Sequence, residues 1–292
     1  MPGNLIHFRR RVRSVKNIQQ ITRAMKLVAA SKLKRAQDRI VAARPYANRM
    51  LSVLNSMARR IDPGQHPLLA QRDRERVMLV VVTGDRGLCG SFNSNIIRSA
   101  MSFIEDEAAN RTLSLTLVGR RGVEWFKTRP WPVRHEFVNI MTRVDHRYAR
   151  EIGKGIIDYF SASELDAVYL VYNEFKSVVR QDVVLEPLLP IRRLEIQDAE
   201  QDTELGVDYI YEQPPREMLD FLLPRHVETQ IFRAMLESEA AEHGARMTAM
   251  DAATRNAKEM IDKLTLTMNR IRQASITTEI IEIVSGADAL EG

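Results

Sequence analysis

Counted back from Met57, apolar or small residues fall at 57, 54, 50, 47, 43, 40, 36, 33 and 29, in steps of three and four. That spacing is a heptad seam, the mark of a helix that packs lengthwise on one partner. Toward the start, the stripe is expected to run through Ile18, Ile21, Met25, Ala29 and Leu33. Its steps of mostly four predict a nearly straight helix there. Pro45 conflicts with the pattern, because an interior proline removes a hydrogen bond and crowds the preceding turn. A kink near Arg44 or a break is expected, with continuation the better fit.

The other end repeats the pattern at 236, 240, 243, 247, 250, 254, 257, 261, 264, 268, 271, 275 and 278. Leu236, Ala240, Met247, Met250, Ala257, Ile261, Leu264, Met268 and Ile271 supply its apolar members, and Asp251, Arg255, Glu259 and Lys263 form a charged row on another face. After Pro224 nothing stops a helix until Gly286, a plausible end signal. Helices of roughly 50–60 residues span about 75–90 Å. Two such segments at opposite ends of a chain pair most economically as an antiparallel coiled coil, and small seam residues such as Ala29, Ala36, Ala240 and Ala257 favour close packing.

Between them the period changes. "VMLVVVT" reads as a buried strand, "SNIIRSAMSFIEDEAA" as a helix, "LSLTLVG" as a strand, "RRGVEWFKT" as a short helix and "VRHEFV" as a strand. "RYAREIGKGIIDYFSAS" follows as a helix, then "DAVYLVYNEF" and "SVVRQDVVLEPLLPI" as strands. Strand–helix alternation predicts a mostly parallel, layered α/β sheet. "RRLEIQDAEQDTELG" reads as an acidic surface loop before "VDYIYEQPP" returns the chain to the last helix. The organisation expected is a helix over 1–60, an α/β domain over 75–212 and a helix over 215–286.

Charge sharpens this division. Residues 1–60 carry fifteen Lys and Arg against the single acid Asp38, whereas the other 232 residues carry 28 basic and 37 acidic residues. The first helix therefore wants an acidic partner. Arg-rich, acid-poor starts also occur in transit peptides, but those are not expected to keep an apolar period for fifty residues. The lone Cys89 excludes an internal disulfide, and the six histidines show no paired metal-ligand spacing. No apolar run approaches the roughly 18–20 residues of a membrane span.

The stretch "TGDRGLCGSFN" spaces Gly84, Gly87 and Gly90 by three after a strand, which raises the question of a phosphate cradle. A Walker-type loop needs a lysine for the phosphates and a hydroxyl for magnesium. Counting from Gly84, its second glycine falls on Cys89 and no lysine adjoins. The dinucleotide pattern fails too, since Arg86 and Leu88 stand where it needs glycines or breaks its spacing. The glycines read as a tight turn that lets the next helix pack closely. Cofactors, metals and catalytic residues are expected to be none. Two competing readings remain at this point: a basic coiled coil that binds nucleic acid through 9–60, supported by charge alone, and a nucleotide-dependent α/β enzyme with helical arms.

The end of the second helix, "RQASITTEIIEIVSGADAL", carries Ile276, Ile280 and Ile283 on one face with Ile281 and Val284 beside them. That stripe is wider than one partner helix covers, so a further protein should enclose it.

Together with "ITRAMKLVAASK" (21–32) and "TGDRGLCGSFN" (83–93), the segment "RQASITTEIIEIVSGADA" (272–289) resembles the gamma subunits of F-type ATP synthases, in the same order and nearly end to end. Ser91 stands where a glycine is common, and the paired-cysteine insertion of chloroplast forms is absent. The resemblance implies a coiled-coil shaft standing inside a ring of three alpha and three beta subunits. It implies a Rossmann-like α/β foot that sits, with the epsilon subunit, on the membrane ring of c subunits. Nucleotide chemistry then belongs to the beta subunits, whose acidic lever segment suits the basic helix. Carried over by motif, the shaft residues facing the sleeve include Met25, Lys26, Arg246, Gln273 and Thr277. The resemblance implies no nucleic acid and no membrane span, and a peripheral location on the cytoplasmic face of a bacterial inner membrane.

Overall fold

The computed structural model describes residues 2–58, 66–108, 111–191 and 215–291. The side chain of Met57, residues 59–60, the acidic segment 192–206 and the stretch 207–214 lie outside the described residues. The chain divides into two units, Ala30–Ala245 and the pairing of Met1–Ala29 with Arg246–Gly292. Two helices contribute to both: α1 (Pro2–Ala58) and α5 (Pro215–Glu291).

The larger unit is built on a five-stranded sheet. Its elements are β1 (Arg76–Val82), α2 (Phe92–Ala108), β2 (Thr112–Val118), α3 (Arg120–Phe126), β3 (Val133–Phe137), α4 (His146–Ser161), β4 (Ala167–Phe175) and β5 (Gln181–Leu189). The strand order is β3-β2-β1-β4-β5, parallel except for the antiparallel edge strand β5. Every expected strand and helix of the central region is present. Val77 through Val82 are fully buried, which explains why β1 is apolar without alternation: as the central strand it is covered on both faces. On one face Val77, Leu79 and Val81 pack with Leu115 and Leu117 of β2 and with Ile96, Phe103 and Ile104 of α2.

Helix α4 starts at Asp145, whose carboxylate accepts the Arg147 amide at 2.9 Å, a capping bond worth about 1 kcal/mol. Ile152, Ile156 and Phe160 then recur at helical spacing on its buried face. Gly153 lets α4 approach Glu228 and Ile231 of α5. At the amino ends of the inner strands, buried Asp166 accepts both the amide and the guanidinium of Arg76, which lock the starts of β1 and β4 together. The Arg76 hydrogen bond holds the Asp166 carboxyl below its ordinary pKa.

Within this unit the helical seam is the one the heptads describe. Leu33, Ala36, Ile40, Met50 and Leu54 of α1 are buried, as are Leu236, Ala240 and His243 of α5. α1 runs through Pro45 without ending. The proline and Val41, whose carbonyl it leaves without an amide partner, are both exposed, so water can take up the lost bond.

In the smaller unit α1 and α5 pair antiparallel. Thr254 Oγ1 donates to Thr22 Oγ1 at 2.8 Å, and Lys26 Nζ reaches Asp251 at 2.5 Å, so a step forward on α1 is a step back on α5. Met250 and Ala257 are buried, and Ile261, Leu264, Met268, Ile271 and Ser275 are half-buried, which continues the heptads of the second helix. The first helix differs from expectation. Ile18 and Ile21 are 50% and 58% exposed, and the seam is carried by Val12, Val15, Thr22 and Ala29. The heptad phase thus persists where a longer period was expected. Thr22 fills a seam position because its hydroxyl is satisfied there, accepting from Thr254 and donating to the Gln19 carbonyl at 3.0 Å. Gly286 does not end α5, which continues to Glu291; an added Cβ at Gly286 would meet nothing within 4 Å.

Candidate functional site

Two features called for a functional reading: the glycine loop and the surface of the helical pair. The loop lies at the carboxyl end of β1, between its neighbours β2 and β4, where open α/β sheets bind ligands. Here carboxylates hold it. Asp85, buried, accepts the amides of Arg120 (3.0 Å), Asn139 (2.8 Å) and Met141 (2.9 Å), using the donors that would otherwise cradle an anion. The Gly84 amide donates to Asn93 Oδ1 at 2.9 Å.

Gly84 also permits a close approach. A Cβ there would lie 2.8 Å from Oε2 of Glu242, a residue of α5 only 4% exposed. The helix that needs the glycine is therefore α5, not α2, which follows directly in sequence. A phosphate entering this loop would meet two buried carboxyl groups in a medium that strengthens their repulsion. The isolated chain is expected to bind neither ATP nor ADP. Titration calorimetry with magnesium nucleotide checks this, and a micromolar site on the chain alone would contradict it.

Glu239, one turn before Glu242, is the electrostatic centre of the same region. Arg39 Nη1 donates to its Oε2 at 3.0 Å. Burial, opposed by Arg39 and reinforced by Glu242, pushes the Glu239 carboxyl up to about 7. Among the described residues no group of histidine, cysteine, aspartate or glutamate could hold a metal ion.

The helical pair presents the second feature. Gln273 and Thr277 are exposed and one turn apart, with Thr277 Oγ1 donating to the Gln273 carbonyl at 2.9 Å. Met25 is half-buried, and half-buried Lys26 is tied to Asp251, whose carboxyl it holds below the ordinary range. Arg246 is buried and offers little surface. The five residues thus lie on two helices, and Lys26 bonds across the pair to Asp251.

Around them runs an apolar surface. Ile276, Ile280, Ile281, Ile283 and Val284 are each about half exposed or more, as the width of the stripe foretold. Ile18, Ile21 and Val28 add a second outward stripe on α1, although the apolar spacing puts Ile18 and Ile21 in the seam. Counting the heptad down from Ala29 through Thr22 to Val15 would have exposed it. Arg9, Arg10, Arg11, Arg13 and Lys16 are exposed nearby in sequence, and no Trp, Tyr or Phe occurs in 12–35 or 265–290.

These features describe a protein with one parallel-sheet α/β unit and two long helices that pair antiparallel. The ATP synthase family model matches residues 4–290. The ATP synthase gamma chain of Solibacter usitatus is 50% identical over 295 residues, covering 100% of both chains. That of Geobacter sp. (strain M21) is 48% identical over 291 residues, covering 99% of this chain and 100% of the relative. Among solved structures, the central stalk/c-ring of Tetrahymena thermophila mitochondrial ATP synthase matches with a TM-score of 0.60 at 25% identity, over 80% of this chain and 99% of that one. A chain of the Euglena gracilis mitochondrial ATP synthase in rotational state 3 shares the fold at a TM-score of 0.68 and 19% identity, over 99% and 95% of the two chains. The chain belongs to the ATP synthase family, among its gamma chains. Its role is that of the central shaft in rotary ATP synthesis, and it carries none of the catalytic sites.

Proposed function

We propose that the paired helices turn inside a ring of alpha and beta subunits while the α/β unit rides, with the epsilon subunit, on the membrane ring of c subunits. Proton flow through that ring would turn the shaft and drive the beta sites through their binding states. The observation that carries this reading is a pair of outward stripes, Ile18 and Ile21 on α1 and Ile276, Ile280 and Ile283 on α5, apolar and exposed yet free of aromatics. A surface that must pass several orientations of its sleeve needs shallow contacts, whereas aromatic hot spots would trap one of them. Gln273 and Thr277 are the polar contacts assigned to the sleeve, with Met25 and Lys26 at its margin; Arg246 serves from the buried side. The working parts assigned are 1–60 and 215–286 for the shaft and 75–212 for the foot. No described helix is long and apolar enough to cross a membrane. Membership of the complex, with bacterial relatives such as Geobacter, supports a place on the cytoplasmic face of the inner membrane.

The basic row on α1 supplies the test. Reversing Arg9, Arg10, Arg11, Arg13 and Lys16 together is expected to weaken assembly with the alpha and beta subunits by on the order of tenfold or more at low salt. The effect should shrink as ionic strength rises. Reversing exposed Glu105 and Asp106 on α2 serves as the comparison. Equal assembly and ATP-driven proton pumping by both variants would remove the acidic-partner reading.

A further inference from the structure

A shaft must be gripped as well as turned, and a smooth heptad seam is poorly suited to gripping. Apolar side chains lower the free energy of contact without fixing direction, since the hydrophobic effect is non-directional. Hydrogen bonds to a guanidinium fork are directional.

We propose that Arg39, acting with Glu239 and Glu242, is the clamp by which the sheet holds both long helices, and so a positioning residue for energy coupling. The inference rests on the shaft reading above. Arg39 projects from α1 and divides its fork. Nη1 donates to Glu239 Oε2 of α5 at 3.0 Å, and Nη2 donates to the Val144 carbonyl in the loop between β3 and α4. Glu242 lies on the same face of α5 one turn further on, with its carboxyl against Gly84 at the end of β1. One residue of α1, two of α5 and two loops at the carboxyl edge of the sheet are thereby joined.

This arrangement is an expensive way to gain stability. The Glu239 side chain is 9% exposed, and Glu242 is buried beside it. Desolvating such groups can cost more than their pairing returns, and well-packed apolar residues often stabilise a fold as well or better. Arg39 and Lys32 of α1 favour the ionised form of Glu239, while burial and Glu242 oppose it. The distinctive property of the cluster is its fixed geometry. Torque arriving through the sheet would load the guanidinium bonds across their direction, and α1 and α5 would turn together rather than slip against the sheet. From Arg39 and Glu239 each helix continues as unbroken backbone into the paired stretch.

The test uses the whole complex in lipid vesicles with Arg39→Met, which keeps much of the stem and removes the fork, and Arg39→Lys, which keeps the charge and one donor arm. ATP hydrolysis and ATP-driven proton uptake are measured on the same vesicles. The expected result for Arg39→Met is near-normal hydrolysis with severalfold less proton uptake per ATP, and an intermediate ratio for Arg39→Lys. A role in stability alone would lower yield or both rates together and leave the ratio unchanged, and that result overturns the clamp. If Arg39→Met does not assemble, a wild-type ratio in Arg39→Lys overturns it equally. Wild-type vesicles separate the two levels of inference. Normal pumping there with an unchanged ratio in the variants removes the clamp and leaves the shaft reading intact; hydrolysis there without pumping would strike the shaft reading itself.

Discussion

Gly119→Ala is expected to lower the melting temperature of the α/β unit by about 10 °C or more, the largest effect of any single methyl group considered. Gly119 follows β2 with φ +95°, in the region an L side chain rarely adopts. A Cβ there would lie 2.1 Å from the carbonyl oxygen of Thr83 and 2.7 Å from its Oγ1. Neither neighbour can withdraw cheaply. Thr83 is fully buried, its hydroxyl donates to the Val118 carbonyl at 3.0 Å, and it accepts the Gly122 amide at 2.9 Å. The Gly119 amide is itself committed to the Phe137 carbonyl at 2.8 Å. Left-handed backbone costs roughly 1–2 kcal/mol and forced overpacking about 1–3 kcal/mol. Their sum is a large part of a domain stability of about 5–15 kcal/mol.

Tryptophan fluorescence reads this unit selectively, because both tryptophans, Trp125 and Trp131, belong to it. Gly286→Ala is the contrast. Its added methyl meets open space within a helix, so it should be neutral or stabilising by about 0.5–1 kcal/mol. A Gly119→Ala melt within two or three degrees of wild type would show that the strand end does not hold this conformation.

The strands were legible because a buried parallel sheet writes itself as unbroken apolar runs, of which Val77–Val82 is the clearest. The heptads of α5 were legible for a related reason: few polar residues interrupt them from Leu236 to Ile271. The start of α1 misled because hydrophobicity alone ranks Ile18 and Ile21 above Thr22. Burial there follows the register with α5, and a threonine whose hydroxyl is satisfied across the pair fits it. Gly286 misled in a different way, since a glycine stops a helix only where the backbone has something better to do.

The glycine loop divides similarly. Its failure as a phosphate site could be read from the missing lysine. Its occupation by Glu242 could not, because heptad phase says which residues of α5 are buried and not which loop they meet. The Arg39–Glu239 pair escapes the sequence for the same reason, its partners lying 200 positions apart. The outward stripe was half visible: Ile276–Val284 exceeds any single seam, whereas Ile18 and Ile21 imitate one.

A disulfide between the shaft and its sleeve is expected to abolish steady turnover, the most severe functional effect predicted for this protein. Cys89 is first changed to serine, which can still accept the bond that Asn93 Nδ2 makes to its sulfur at 3.3 Å. Thr277→Cys then places a thiol on the exposed face of α5, and a second cysteine is introduced on the facing beta subunit. Disulfides form only when Cα atoms come within about 4.4–6.8 Å, so efficient oxidation would itself place Thr277 against the sleeve. Once formed, the bond restricts the shaft to one orientation while sequential use of the beta sites needs it to visit each. Reduction should restore activity, since nothing else has changed. A second disulfide isolates the cause. Thr22→Cys with Thr254→Cys joins the two helices where their hydroxyl oxygens already lie 2.8 Å apart, and it adds no bond between rotor and sleeve. Turnover with that link should remain close to wild type. If the shaft–sleeve bond formed fully and ATP turnover continued at its normal rate, this stretch of α5 would not need to rotate against its surroundings. The contacts assigned to Gln273 and Thr277 would then be static packing, and coupling would have to reach the beta sites by another part of the shaft.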